Sequence, residues 1–133
     1  MDSNLVLLRP YRLTDEAFVY KTFLEGLRYG NETFRQMDKI QFYENYRKVL
    51  NSLIQKKETQ IKIAALKEDP DVILGYAITR PEIVDWIFVK KSWRRLGIAK
   101  DLIGDMHMTT VSHITLAGNA IRTKLGLKYD PFK

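Results

Sequence analysis

The chain has 133 residues, with 22 Lys and Arg against 16 Asp and Glu (net charge +6), 45% apolar residues and no cysteine. This is the mixture of one globular domain spanning residues 1–133, and the missing cysteines exclude disulfides, thiolate metal sites and cysteine nucleophiles. No apolar run approaches the roughly 20 residues of a bilayer crossing, and the opening MDSNLVLLRP lacks a secretory layout, so a cytoplasmic protein with no membrane partner is expected.

The stretch LVLLRP reads as a first strand, stopped by Pro10. In LTDEAFVYKTFLEGLRYG, Thr14 is the natural N-cap, and Asp15 and Glu16 suit the positive end of a helix. Ala17, Tyr20, Phe23, Leu24 and Leu27 then share one helical face up to Gly30. A second helix starts near Asp38, whose spacing to Gln41 resembles a capping box. Its apolar stripe is Tyr43, Tyr46, Val49, Leu50, Leu53 and Ile54.

The period then changes. IKIAAL alternates, with Ile61, Ile63 and Ala65 on one side, so it reads as a strand. KEDPD is a turn, VILGYAIT another strand, RPE a tight connection, and EIVDWIFV the third strand of a meander. A helix of about three turns follows, burying Ile98, Leu102, Ile103 and Met106. SHITL reads as a short strand, AGNAIRTKL as a short helix ended by Gly126, and LKYDPF as a last extended piece. The order is β-α-α-β-β-β-α-β-α-β. It predicts a mixed α/β sheet with helices on both faces, parallel where the crossover helix joins two strands.

Between the third meander strand and the next helix lies SWRRLGIAKDLI. A phosphate arriving there meets N–H groups that have no intrahelical partner, at the positive end of a helix. Gly97 lets the backbone approach closely, Ala99 is small, and Arg94 and Arg95 add charge and forked donors. The net positive charge suits anionic partners in general without choosing among them.

In this context IFVKKSWRRLGIAKDLI resembles the acyl-CoA-binding motif of the GNAT superfamily of N-acetyltransferases. Val89, Trp93, Arg94, Gly97 and Ala99 stand in register with the family's strand-ending Val, aromatic residue and Q/R-x-x-G-x-G/A. LVLLRPYRLTDEAFVY resembles the family's opening strand, Arg-Pro and Asp-led first helix, and AIRTKLGLK its closing helix. The element order fits nearly the whole chain as a short, divergent member with a shortened C-terminal end.

The resemblance implies acetyl-CoA as co-substrate, and acetyl transfer to an amine by direct attack on the thioester. It places cofactor binding at Phe88, Val89, Arg94, Arg95, Leu96, Gly97, Ile98, Ala99 and Lys100. The backbone N–H groups of Arg95 to Ala99 hold the pyrophosphate, and a strand N–H near Phe88 stabilises the oxyanion. The strand WIFV splays from SHITL to admit the pantetheine arm. Glu82 and Asp85 lie on the strand where family members often carry a base, with Glu82 ranked first. Tyr29, Asn31, Glu32 and Phe34 are expected to face the acceptor, an amine on a protein or a small molecule. The family also implies a homodimer as an assembly to test.

The chain departs from the family pattern in places. Arg122 stands where many members have the tyrosine that protonates the leaving thiolate, and it could contact cofactor phosphates instead. Thr115 replaces a frequent asparagine, and Asn119 is out of register. Tyr129 replaces the missing acid only if the chain folds back. The final hairpin strand is expected to be short or absent.

Two rivals stay open. One is a noncatalytic relative that keeps the fold and acts by protein binding. The other is a helix-turn-helix DNA reader in GIAKDLIGDMHMTTVSHI, disfavoured because Leu102 to Val111 is about two residues too long for the compact turn. His107 and His113, six residues apart, predict no metal site, and no serine sits in a nucleophile-elbow pattern.

Overall fold

A computed structural model describes residues 5–104, 107–112 and 126–130. Its frame is a mixed sheet in the order β1-β2-β3-β4-β5-β6. Strands β1 (Val6–Pro10), β2 (Gln60–Leu66), β3 (Ile73–Arg80) and β4 (Ile83–Val89) pair antiparallel in succession, β1 with β2, β2 with β3 and β3 with β4. The expected meander is therefore present. The KEDPD turn closes β2 to β3, with Val72 N–H donating to Asp69 C=O at 2.9 Å. The β3–β4 turn is the pair Pro81–Glu82, with Glu82 in the left-handed region at φ 63°. Positions Ile73 to Thr79 of β3 are all buried, as expected of a central strand covered on both faces.

Helices α1 (Glu16–Tyr29) and α3 (Lys39–Gln55) cover one face. Ile63, Ala65, Tyr76, Ile78 and Trp86 meet them in one buried cluster. Phe23 packs on Trp86 with ring centroids 4.7 Å apart. The Tyr76 hydroxyl finds Thr22 Oγ1 at 2.7 Å and donates to Val19 C=O at 3.1 Å. Burial pushes its pKa up, so this phenol is a neutral core group.

The helix faces differ in detail from the periodic reading. The inner stripe of α1 is Val19, Phe23, Leu24 and Leu27, while Ala17 is exposed. Thr14 is not an N-cap but lies within a 3-10 turn, Leu13–Asp15, that precedes α1. Asp38 does cap α3, accepting from Gln41 N–H at 3.0 Å. On α3 the buried residues are Phe42, Leu50 and Leu53, and Val49 is exposed. The Phe42 ring stacks on Tyr46, with centroids 4.7 Å apart.

The other face is covered by α4 (Ile98–Ile103). Ile98, Leu102 and Ile103 bury against Ala64, Leu74, Ala77, Val84 and Val89. Helices thus lie on both faces, as expected. Helix α4 has six residues rather than three turns, because Gly104 at φ 40° ends it. Met106 lies outside the described residues.

Strand β5 (Thr110–Val111) runs parallel to β4, the expected outcome of a crossover through α4. It starts two residues before SHITL, whose residues 113–116 lie outside the described residues, as do the predicted helix at 117–125 and Arg122. Gly126 has φ 72°, and β6 (Lys128–Tyr129) pairs parallel with β5. Because Thr110 and Val111 are sheet, they do not form the second helix of a DNA-reading pair, and that reading is overturned.

Candidate functional site

Strand β4 delivers the chain into the basic turn. Val89 is buried and opposite Gly75. A Cβ on Gly75 would lie 2.5 Å from Phe88 C=O, so glycine is what allows β3 this close to the end of β4. Lys90 N–H donates to Leu74 C=O at 2.8 Å. A 3-10 turn, Lys91–Trp93, follows. Arg94 folds back, its Nε donating to Val89 C=O at 2.9 Å.

Next come Arg95 at φ 66° and Gly97 at φ 86°. Left-handed residues in a turn help gather N–H groups into an anion-binding concavity. Nothing lies within 4 Å of where a Gly97 Cβ would stand. The first bond of α4 runs from Asp101 N–H to Gly97 C=O at 3.0 Å, so the N–H groups of Ile98, Ala99 and Lys100 have no helical acceptor. Ile98 is buried and anchors the helix start, while Arg95, Leu96 and Lys100 are exposed. Residues 90–101 hold Lys90, Lys91, Arg94, Arg95 and Lys100 against one acid, Asp101, so the turn presents a positive surface.

Beside this turn, β4 pairs with β5 over the few described residues of that strand. Their register covers only Ile83↔Thr110 and Val84↔Val111, and the last described backbone link is Ser112 N–H to Val84 C=O at 3.1 Å. Among the described residues, the outer edge of β4 beyond this point has no strand partner. The expected splay of WIFV from SHITL falls on residues 113–116, which lie outside the described residues.

Asp85 sits next to the last described contact between β4 and β5. Ile78 pairs with Trp86 and Thr79 with Val84, so Asp85 is the extra residue of a β-bulge. It is 1% exposed. Arg80 holds it through two bonds of 2.7 Å, and Ser112 Oγ donates to Asp85 Oδ1 at 2.5 Å. The bond to Asp85 raises the Arg80 pKa. Neither Arg80 nor Ser112 stood out in the sequence, because the bulge that aims Asp85 between them leaves no mark in the alternation of EIVDWIFV.

The other expected residues are spread along β4 and its neighbours. Glu82 is exposed in the β3–β4 turn, and its C=O accepts from Thr109 and Thr110 N–H at 2.9 and 3.2 Å. Phe88 is half-buried, stacked on Tyr76 at 5.6 Å and edge-on to Phe18 at 5.8 Å. Tyr129 does return to the sheet: it pairs with Val111 on β6 and is 46% exposed.

The loop after α1 is more ordered than expected and forms a short helix, α2 (Glu32–Arg35). Asn31 caps it, accepting from Phe34 N–H at 3.3 Å. Phe34 packs on Tyr46 and Phe42, so its ring serves the core. Tyr29 and Glu32 remain exposed. Among the described residues no group of His, Asp and Glu could hold a metal ion.

No protein-family model matches the chain, and no curated protein matches it in sequence. Solved structures do match it. One from Pyrococcus furiosus, described as an acetyl transferase, superposes with a TM-score of 0.59 at 16% identity, covering 93% of this chain and 78% of that one. A GCN5-related N-acetyltransferase from Rhodopseudomonas palustris gives a TM-score of 0.51 at 19% identity, over 92% of this chain and 66% of that one. The chain has the GNAT fold. A transcriptional regulator from Bacillus halodurans C-125 also matches this GNAT-fold chain, with a TM-score of 0.55 at 14% identity over 92% and 93% of the two chains. At these identities the likeness is one of fold. No described helix is long and apolar enough to cross a membrane.

Proposed function

We propose that this GNAT-fold protein is an acetyl-CoA-dependent N-acetyltransferase. One observation carries the reading. A basic turn with an open glycine at φ 86° leads into a helix whose first N–H groups lack helical acceptors, directly after the buried end of β4. That combination suits a ligand with a pyrophosphate at one end and an amide-bearing arm that pairs along a strand. The residues present fit it: the turn from Arg95 to Lys100 takes the diphosphate, and the Phe88–Val89 edge takes the arm.

The thioester carbon then lies along β4, where a strand N–H near Phe88 stabilises the oxyanion. The amine nitrogen bonds to that carbon and the C–S bond breaks. Glu82, the exposed one of the two candidate carboxylates, stands in the β3–β4 turn and accepts the amine proton by way of water, while Asp85 is taken up by Arg80 and Ser112. Tyr129 donates a proton to the departing thiolate. The acceptor is an amine on a protein or a small molecule. Net charge +6 disfavours a strongly cationic one.

The experiment is calorimetric titration with acetyl-CoA at two salt concentrations, followed by an amine-acceptor screen. Micromolar binding that weakens with salt supports the site; no binding refutes it.

A second reading is a noncatalytic GNAT-fold module that acts by protein binding. The engaged Asp85 carboxylate favours it, and the fold also occurs in a protein described as a transcriptional regulator. Acetyl-CoA binding without turnover of any amine would select this reading.

A further inference from the structure

Strand β1 stands at one end of the sheet, and among the described residues no strand pairs with its outer edge. Lys67 N–H donates to Leu5 C=O at 3.0 Å. Bonding alternates along an antiparallel pair, so Leu5, Leu7 and Arg9 turn their backbone groups to β2, while Val6, Leu8 and Pro10 turn theirs outward. Pro10 suits that place, because it has no N–H to donate at an open edge. Leu5, Leu8 and Leu13 are exposed, Leu8 at 40%. A groove of about 740 Å³ is lined by Leu8, Pro10, Tyr11, Ile54, Gln60 and Lys62, so open space adjoins the end of the strand.

Proteins that keep such an edge to themselves blunt it with charge, lysine above all. Here the outward positions are Val, Leu and Pro, and the charge of the strand, Arg9, is buried against Asp15. Despite the net charge of +6, two β1 edges therefore meet with no like charges face to face. We infer that β1 is the interface between two copies of this chain, paired antiparallel about a two-fold axis at Leu8. The strand is complementary to itself in that register. Leu8 N–H of each copy donates to Leu8 C=O of the other, and Val6 N–H of each donates to Pro10 C=O of the other. That carbonyl already accepts from Arg9 at 3.1 Å, and a carbonyl oxygen has a second lone pair. Directly opposite side chains share a face, so the two Leu8 side chains meet at the axis. Strands β2 and β3 separate β1 from β4, so the inference is independent of acetyl-CoA binding. Five residues a side are far fewer than the roughly 20 to 30 of a standard interface, so the dimer is expected to dissociate in the micromolar range or above.

The test is sedimentation of the intact chain over a range of concentrations. Leu8→Lys and Leu8→Glu each set two like charges against each other at the axis, and each alone is expected to be monomeric where wild type is dimeric. Mixed, they set Lys against Glu, and the dimer is expected to return as a heterodimer. Thermal melting confirms that each variant folds. A second measurement does not depend on charge. The chain has no cysteine, so Leu8→Cys carries a single thiol. Opposite residues of a bonded pair have Cα atoms about 5.5 Å apart, within disulfide reach. Mild oxidation is expected to link two copies through that position, and to link Val49→Cys, similarly exposed on α3, far more slowly. A wild-type chain that stays monomeric up to about 1 mM overturns the inference. So does a dimer that Leu8→Lys leaves intact, a mixture of the two charged variants that does not recombine, or crosslinking of Leu8→Cys no faster than that of Val49→Cys.

Discussion

Arg9 grips both carboxylate oxygens of Asp15 at 2.8 Å, and Asp15 also accepts the Arg12 N–H at 2.8 Å. The pair is about as buried as the core, with side chains 5% and 4% exposed. Arg9 Nε reaches on to Pro70 C=O at 3.0 Å. One ion pair thus joins β1, the start of α1 and the β2–β3 turn. Asp15→Asn leaves the buried guanidinium without its counter-charge. The expected loss is about 3–5 kcal/mol, read from urea denaturation. The double change Arg9→Met with Asp15→Leu should cost much less, because no charge is stranded.

The same pair predicts a pH dependence. The hydrogen bond from Arg9 holds the Asp15 carboxyl below the usual carboxylate range. A carboxyl lowered in the folded state gives stability that is fully present above its unfolded value, about 4, and lost as pH falls through the folded value. The gap in thermal midpoint between wild type and Asp15→Asn should be constant from pH 7 to about 5 and shrink below about 4. A gap that stays constant to pH 2.5 would remove Asp15 as the titrating group.

The sequence made some of this legible. The strand-turn-helix at Val89–Ile103 depends on local letters: a strand-ending Val, a glycine, and an apolar pair Ile98 and Leu102 at helical spacing. The meander was readable from its turns. What stayed hidden depends on partners far along the chain. The Arg80–Asp85–Ser112 group joins three strands, with Asp85 and Ser112 27 residues apart. The Arg9–Pro70 contact spans 61 positions. On α3 the stripe misses Phe42, which stands one residue before Tyr43, because period alone cannot say which of two adjacent aromatics goes inside. Glycine at 104 was visible, but its effect, a helix of six residues, depends on the φ it adopts.

Gly97→Glu should abolish acetyl-CoA binding. The side chain enters the open space over the turn, and its charge opposes a phosphate. At φ 86° the substitution also costs about 1 kcal/mol of backbone strain. Gly97→Ala carries that strain without the charge, so its smaller effect on affinity isolates the electrostatic part. Calorimetry and thermal melting on both variants separate the two. Wild-type affinity in Gly97→Glu would sink the phosphate assignment.

Glu82→Gln should slow turnover roughly a hundredfold and remove the limb of the pH–rate profile that reports the base, with acetyl-CoA affinity unchanged. Its carboxylate is exposed, so stability should hold. Asp85→Asn predicts the opposite: it strands Arg80, so stability falls while the shape of the pH profile survives. Measuring kcat/KM against pH together with melting for both variants tells proton transfer from positioning. A Glu82→Gln variant as fast as wild type takes Glu82 out of the mechanism.

Tyr129 decides whether the chain has recovered an acid after placing Arg122 where relatives carry a tyrosine. Its strand β6 pairs with β5, and Val111 opposite it pairs in turn with Val84. Two strand spacings, about 10 Å, therefore separate its backbone from Val84 on β4, and a phenol can bridge part of that gap. The hydroxyl can give a proton to a departing thiolate and regain one from solvent, since the residue is 46% exposed. Tyr129→Phe keeps the ring and removes only that hydroxyl. The expected result is a roughly hundredfold fall in kcat, with the KM for acetyl-CoA and the thermal midpoint unchanged. The fall should be smaller for a thioester whose thiol is more acidic, because that sulfur leaves without help. Equal rates for Tyr129→Phe and wild type would mean that water protonates the thiolate, and that the return of the chain along β5 serves the sheet alone.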